Sequence, residues 1–311
     1  MALQDSDISW QMLRQIVHDW VGTSAELIEV KTLEGGCINT TLALTTRAGE
    51  KAVLKISPHR VNRRYLTEAY QLNILRTIGL PAPQVYVSRV GDLDSPISYL
   101  LMEFVEGMPL NQAKKQCAEE EFDHLQMHLA ELFITLHGST HETYTRLTEG
   151  EREEFTSWPR FYRSIYVTQC AECTSNAQLP VKARKTIGRV HEKLEGLLVH
   201  DDCPRLLHGD VWATNILCKR DDHEKWWVTG LVDPNCKYGH WEAEIAYMDL
   251  FQTTTPAFVR AYQQTRRLAP EYHRLRKHIY QLYELMNHLQ GFGNEYVKPL
   301  LAMVEKVGSL V

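Results

Sequence analysis

The sequence predicts an α+β fold of two unequal lobes, a small antiparallel β-sheet lobe with one helix followed by a larger, mainly helical lobe. Strand-like runs dominate the first hundred residues, and helical periodicity dominates after Gly107. A polar segment at residues 208–215 precedes a short strand pair. We expect the lobes to span residues 1–105 and 106–311.

Apolar alternation predicts the strands of the small lobe. Residues 51–56 alternate so that Lys55 lies on the face opposite Ala52 and Leu54. An apolar stripe at helical spacing predicts one helix over residues 65–78. The other predicted strands of this lobe span 27–33, 40–46, 84–89 and 97–104.

Apolar residues three and four apart predict the helices of the larger lobe. The helical stretches are 122–136, 158–168, 181–198 and 275–289. A strand, turn and strand unit interrupts them at residues 216–218 and 226–232.

Composition excludes several classes of protein. The chain has 311 residues, of which 44% are hydrophobic and 23% charged, as in ordinary globular proteins. A formal net charge of −5 argues against a general nucleic-acid binder. No apolar run is long enough to span a membrane, no signal-peptide pattern stands at the start, and seven irregularly spaced cysteines suit a reducing compartment. We therefore expect a cytoplasmic protein, a monomer or homodimer, with no nucleic-acid or membrane partner.

The polar segment carries the strongest chemical signal. His208-Gly209-Asp210 is followed by Asn215, and Asp233 comes eighteen residues later, after the strand pair. Phosphoryl transfer needs one carboxylate to take the proton of the attacking hydroxyl, and oxygen ligands to hold Mg²⁺ on the phosphates. The spacing assigns the first task to Asp210 and the second to Asn215 and Asp233. The alternative interpretation is a polar turn before a buried hairpin.

Two upstream features agree with a site for ATP. Lys55 on a strand, with Glu68 thirteen residues later on the next helix, is the arrangement that aims an ammonium at the α- and β-phosphates. Glu103 and Val105 lie where the lobes join, and their backbone would read adenine. Each feature has an ordinary structural alternative, a solvated ion pair for the first and a plain edge strand for the second.

A glycine-containing turn provides a third, weaker feature. Gly35, Gly36, Cys37 and Asn39 lie between two predicted strands, where backbone N–H groups could approach a phosphate. Two glycines also mark ordinary hairpin turns. Cys37 is either a small residue that fits the turn or an oxidisable thiol that regulates the site.

The sequence resembles the phosphotransferases related to aminoglycoside and choline kinases, which share the protein-kinase fold, and within them the fructosamine kinase (ketosamine-3-kinase) family. The resemblance spans roughly residues 25–300. Its most specific points are the tryptophan after the catalytic aspartate and the Asp-Pro at 233–234. The segments that carry it are 208–215, 233–244 and 280–283, with Asn287-His288.

The resemblance implies an ATP- and Mg²⁺-dependent kinase. Asp210 would be the catalytic base, Asn215 and Asp233 would bind Mg²⁺, and Lys55 with Glu68 would fix the ATP phosphates. The acceptor would be a sugar hydroxyl of a ketosamine, a sugar joined to an amine, either free or on a glycated protein.

Candidates for the acceptor site follow from the same resemblance. The residues that would line the sugar pocket are Trp212, Tyr238, Glu242 and His288. Glu242, Glu244 and Asp249 also form an acidic cluster past Asp233, where an amine-bearing acceptor could sit.

Two rival functions stay open at this point. One is a kinase of another small alcohol, such as an aminoglycoside, choline, homoserine or a sugar. The other is a non-catalytic nucleotide-binding scaffold, which the presence of Lys55, Asp210, Asn215 and Asp233 disfavours.

Overall fold

A computed structural model divides the chain into two compact units. It describes residues 8–33, 40–57, 62–92, 97–150 and 152–311. The first unit contains the described residues up to 117, with 148–150 and 214–235. The second unit contains Ala118–Leu147, Arg152–Ala213 and Cys236–Val311. The expected lobe boundary at residues 105/106 stays a prediction.

The first unit is built on a five-stranded antiparallel sheet, as the alternation predicts. Its strand order is β1-β2-β3-β5-β4. The strands are β1 (Leu27–Thr32), β2 (Thr40–Thr46), β3 (Lys51–Ser57), β4 (Val85–Arg89) and β5 (Ser98–Glu103).

One face of this sheet is covered by a helix that the sequence analysis did not predict. Helix α1 (Trp10–Val21) begins at Ser9, whose hydroxyl accepts a hydrogen bond from the Met12 amide. Its apolar stripe packs with Leu54 and other residues of the same strand face. Helix α2 (Arg64–Thr77) packs against β4 and β5. The face of β3 that carries Lys55 is thus left to the functional residues.

A second, three-stranded sheet completes the first unit. Its order is β11 (Trp226–Leu231), β10 (Ile216–Arg220) and β6 (Met108–Pro109), and the four-residue helix α3 (Leu110–Ala113) follows β6.

Gly107, just before β6, has a φ of +151°, and a Cβ there would lie 2.8 Å from the Thr229 hydroxyl oxygen. This close approach explains why glycine stands where the predicted lobes join.

The second unit is mainly helical, with a small four-stranded sheet of order β8-β7-β12-β9. Its strands are β7 (Tyr144–Arg146), β8 (Glu154–Phe155), β9 (Arg205–Leu207) and β12 (Lys237–Gly239). Its helices are α4 (Glu119–Leu136), α5 (Trp158–Ser175), α6 (Val181–Leu197), α7 (Trp241–Leu250), α8 (Pro256–Tyr262), α9 (Lys277–Phe292) and α10 (Val297–Gly308). A π-helical turn at Tyr272–Arg276 precedes α9, and a 3-10 turn at Asn294–Tyr296 precedes α10. Within the described ranges, no helix combines the length and apolar character needed to cross a membrane.

Helix α5 is about two turns longer than predicted. The sequence predicts its end at residue 168. Its apolar face continues through Cys170 and Cys173, which are both buried. Packing of this face extends the helix to Ser175.

Trp158 lies at the centre of the second unit. It is 1% exposed, and its indole N–H donates to the Tyr280 hydroxyl at 3.0 Å. The same hydroxyl lies 3.1 Å from Nδ1 of His240. Since Tyr280 is on α9 and His240 directly precedes α7, this chain of polar contacts sets both helices relative to α5.

The packing around Trp158 makes Gly239→Ala destabilising. A Cβ at Gly239 would lie 2.8 Å from both Trp158 and Leu207, whose buried side chains have no room to move. We expect the free energy of unfolding to fall by about 1–3 kcal/mol, measured by urea titration.

Gly291→Ala is the matched control, because a Cβ there meets nothing within 4 Å on helix α9. It should leave stability unchanged or raise it by up to about 1 kcal/mol. Equal stability of the two variants would contradict the steric argument.

Candidate active site

The first unit holds a buried ammonium shared by two carboxylates. Nζ of Lys55 lies 2.5 Å from Oε1 of Glu68 and also pairs with Asp233. Lys55 and Glu68 are 8% and 7% exposed. Because a buried charge is costly without partners, each of these groups depends on the others for its position. The fold thus joins three residues that lie far apart in the sequence.

Asn215 and Asp233 flank the hairpin of β10 and β11. Ile216 pairs with Leu231 in register, and the Val232 amide donates to the Asn215 carbonyl at 3.0 Å. The hairpin therefore returns the chain so that the two residues lie at its open end.

Asp233 has a φ of +54°, in the left-handed region that aspartate and asparagine tolerate better than most side chains. Such backbone strain is found at functional sites, where the surroundings hold it in place.

The donor atoms at this hairpin end fit a magnesium ion that also binds phosphate. Asn215 offers an amide oxygen and Asp233 a carboxylate that is 44% exposed. Mg²⁺ in nucleotide sites takes one or two protein oxygens and completes its shell with phosphates and water. Across the described ranges, no group of three or more His, Cys, Asp or Glu forms a closed metal site. The oxygen pair is thus suited to a metal that arrives with a nucleotide.

The segment after β5 lines a cavity of about 320 Å³ in the first unit. The Glu103 amide donates to the Gln84 carbonyl at 2.8 Å, which anchors the start of the segment. Among the described residues, the Val105 amide makes no hydrogen bond. It is therefore a free donor at the position where the sequence predicts contact with adenine. The cavity is lined by Arg76, Pro81, Ala82, Glu103, Phe104, Val105, Glu106, Lys219 and Thr229.

The glycine-containing turn lies outside the described residues. Gly35, Gly36, Cys37 and Asn39 all belong to it, so their assignment to the phosphates stays a prediction, as does a redox role of Cys37.

Asp210 lies in the second unit and is held by a tyrosine. The Tyr247 hydroxyl donates to Oδ1 of Asp210 at 2.8 Å. Burial raises the pKa of Tyr247 far above its usual value, and the negative charge of Asp210 adds to the rise. The phenol therefore stays protonated and acts as a donor, which fixes one oxygen of the carboxylate.

Glu244 on α7 holds the backbone that precedes Asp210. Its carboxylate accepts from the amides of His208 at 3.2 Å and Gly209 at 2.6 Å. It also lies 2.9 Å from Nε2 of His137, whose other ring nitrogen contacts the Tyr262 hydroxyl. Burial favours a raised pKa of Glu244, but the hydrogen bonds from His137 and Gly209 and the charges of His137 and His208 together outweigh it, so the pKa is lowered.

Aromatic rings surround the segment after Asp210. Trp212 stacks on Phe251 with centroids 4.4 Å apart, and His288 lies 5.1 Å from the Trp212 ring. Trp212 is half-buried, and His288 is 4% exposed. The structure therefore brings Trp212 and His288, both predicted to line the sugar pocket, into one cluster beside Asp210.

Glu242, also predicted to line the sugar pocket, is paired with an arginine. Its side chain is buried, and both oxygens accept from the Arg276 guanidinium, at 2.6 and 2.8 Å. A contact of Glu242 with a sugar stays a prediction. Tyr238, in strand β12, stacks on His141 with ring centroids 4.6 Å apart.

Two residues of this region, Tyr247 and Glu284, were not predicted from the sequence. Tyr247 lies thirty-seven residues after Asp210, and only packing of α7 reveals their contact. Glu284, on α9, has a pKa that burial raises to about 7, against the lowering effect of Lys237. The charge of Asp210 adds to this rise. No local motif marked either residue, because their roles depend on contacts between helices.

Comparison with known proteins identifies relatives over nearly the whole chain. The family model described as "Fructosamine kinase" matches residues 9–309. A "Probable ketoamine kinase" of Vibrio vulnificus is 25% identical over 96% of this chain and 99% of its own. A chloroplastic protein-ribulosamine 3-kinase of Oryza sativa is 24% identical over 93% and 82%. The crystal structure of a Haemophilus somnus protein assigned as a fructosamine-3-kinase shares the fold, with a TM-score of 0.75, 22% identity, and coverage of 96% and 97%.

The contacts of Glu244 make Glu244→Ala strongly destabilising. The substitution leaves two backbone amides and a buried histidine without their acceptor. We expect a loss of about 3–5 kcal/mol in the free energy of unfolding, read from chemical denaturation.

Glu305→Ala is the matched control, since Glu305 is exposed on α10. It should change stability by less than about 0.5 kcal/mol. If Glu244→Ala behaved like this control, the inferred support of the catalytic segment would be wrong.

Proposed function

The chain belongs to the fructosamine kinase family, and from this we propose that it transfers the γ-phosphate of ATP to a sugar hydroxyl of a ketosamine. The observation that carries the proposal is the carboxylate of Asp210, oriented by Tyr247 and bordered by aromatic rings that suit a sugar. The names of the relatives support a sugar joined to an amine as the acceptor.

Asp210 acts as the general base in this proposal. The acceptor oxygen attacks the γ-phosphorus, and its proton passes to the Asp210 carboxylate. The bond between the γ-phosphorus and the bridging oxygen breaks, so that ADP leaves with the electron pair. The Tyr247 hydrogen bond keeps the carboxylate aimed at the hydroxyl.

The nucleotide is assigned to residues of the first unit. Lys55, held by Glu68, binds the α- and β-phosphates, and the Val105 amide donates to adenine. Asn215 and Asp233 would hold Mg²⁺, which neutralises charge on the phosphates when bound. Lys55 also forms an ion pair with Asp233 in the structure.

The acceptor belongs to one chemical class with two sources. A ketosamine forms on free amines and on protein lysines, and the protein-ribulosamine name of one relative supports the protein-bound form.

We place the enzyme in the cytoplasm, in keeping with the six described cysteines, all of which are free thiols.

Replacement of the base tests the assignment. Asp210→Asn keeps the shape of the side chain but removes the proton acceptor. We expect kcat/KM for a ketosamine to fall by a factor of about 10³ or more, with ATP binding retained. The measurement is acceptor-dependent ADP release together with ATP affinity.

Asp222→Asn is the control, because Asp222 is exposed in the turn between β10 and β11.

A panel of ketosamine, aminoglycoside, choline, homoserine and free sugars identifies the acceptor. Preference for an alcohol outside the ketosamines would contradict the proposed acceptor, and ATP binding without transfer to any of them would contradict a kinase.

The Tyr247 hydroxyl provides a second, finer test. Tyr247→Phe removes the hydrogen bond to Asp210 and leaves the aromatic ring in place. We expect kcat to fall roughly tenfold with little change in KM for ATP, because hydrogen bonds to charged groups contribute about 1.5–3 kcal/mol. Tyr86→Phe, on strand β4, serves as the control, and an unaltered kcat in Tyr247→Phe would rule out the positioning role.

A further inference from the structure

The acidic cluster predicted to receive the amine is already occupied by partners within the protein. Glu242 pairs with Arg276, and Glu244 pairs with His137. Asp249 lies 2.8 Å from Nζ of Lys277 and accepts from the Gln281 amide at 2.9 Å. All three carboxylates thus already have partners within the protein, and a role of this cluster in binding an amine stays a prediction.

Glu284 differs from these residues. Within the described part of the chain, its carboxylate forms no hydrogen bond and no ion pair of contact distance. Its side chain is half-buried on α9, with Lys237 and Asp210 as the charged groups near it. A carboxylate in such a place is costly unless something pairs with it.

The position of Glu284 on α9 places it beside the predicted acceptor site. His288 is one turn further along, and its Nδ1 contacts the Glu284 carbonyl at 2.7 Å. Residues four apart share a helix face, so Glu284 and His288 lie on the same face of α9. That face meets Trp212, since the His288 ring lies 5.1 Å from the Trp212 ring.

The charge balance at Glu284 favours an added cation. Burial raises the pKa of Glu284 to about 7, Lys237 lowers it only in part, and Asp210 raises it further. An ammonium beside Glu284 would oppose both the burial penalty and the repulsion from Asp210. Two carboxylates, Glu284 and Asp210, thus face one nearby ammonium, that of Lys237. An added cation would balance the charge of this region, which also contains the proposed base and the aromatic rings.

We propose that Glu284 binds the protonated amine of the acceptor and so selects sugar–amine adducts over neutral sugars. The inference rests on the proposed function and deepens it. The linking nitrogen of a ketosamine is an alkylamine, which is protonated at neutral pH, and it lies a few bonds from the hydroxyls of its own sugar. With a sugar hydroxyl at Asp210 and the sugar against Trp212, the ammonium would meet Glu284. The aromatic faces add a favourable contact for a cation.

The experiment compares two acceptors that differ at the linking nitrogen, which is charged in one and neutral in the other. One is a fructose–alkylamine adduct, and the other is the same adduct acylated on the linking nitrogen, which is neutral. Wild-type enzyme should prefer the first in kcat/KM. Glu284→Gln should lower kcat/KM for the charged adduct on the order of tenfold, mainly through KM, and should leave the neutral adduct unchanged.

Two controls separate binding from folding. Glu295→Gln changes an exposed carboxylate in the 3-10 turn after α9 and should alter neither acceptor. Thermal unfolding of Glu284→Gln should occur at the same or a higher temperature, because the variant removes an unpaired, partly buried charge. Loss of stability with equal losses for both adducts would show a structural role and overturn the proposal.

Affinity of the two adducts, measured by calorimetry, tests Glu284 independently of turnover. Tighter binding of the charged adduct by wild type, lost in Glu284→Gln, supports the inference. Equal affinity of the two proteins for the charged adduct overturns it. A wild-type enzyme that binds but phosphorylates neither adduct overturns the proposed function instead, so the two failures are distinguishable.

Discussion

The buried carboxylate of Glu244 is the interaction on which the catalytic segment depends. This buried carboxylate accepts hydrogen bonds from the His208 and Gly209 amides and contacts Nε2 of His137. An aspartate that must take a proton at a defined distance needs a rigid backbone behind it. Glu244 supplies that rigidity from α7, and Tyr247, three residues later on the same helix, reaches Asp210 itself. One helix therefore orients both the loop and its carboxylate.

Among the described residues, several buried charges are paired, whereas Glu284 beside the proposed acceptor site is not. Arg276 neutralises Glu242, and Glu68 with Asp233 neutralises Lys55. In the proposed function, Lys55 would exchange one of its two carboxylate partners for a phosphate. Glu284 has no contact partner of its own within the described residues. The contrast separates charges that stabilise the fold from charges available to ligands.

Much of the fold could be predicted because its signals are local. Alternation located the five strands of the first sheet, and helical spacing located most helices of the second unit. Helix α1 was not predicted, although the Ser9 cap and the apolar stripe that mark it are local features. The last turns of α5 were missed because their apolar face includes Cys170 and Cys173, which only burial identifies as part of the core.

The sequence by itself determined the class of fold, the kinase family and the residues whose spacing is set by one loop and one hairpin. Asp210, Asn215 and Asp233 belong to that group, since a short turn and a two-stranded ladder leave little freedom in where they end. Tertiary structure alone decided which acidic residues have partners. Only the packing of helices gives Glu242 the guanidinium of Arg276 and leaves Glu284 without a contact partner among the described residues. Pairing across helices depends on distances that no local pattern encodes.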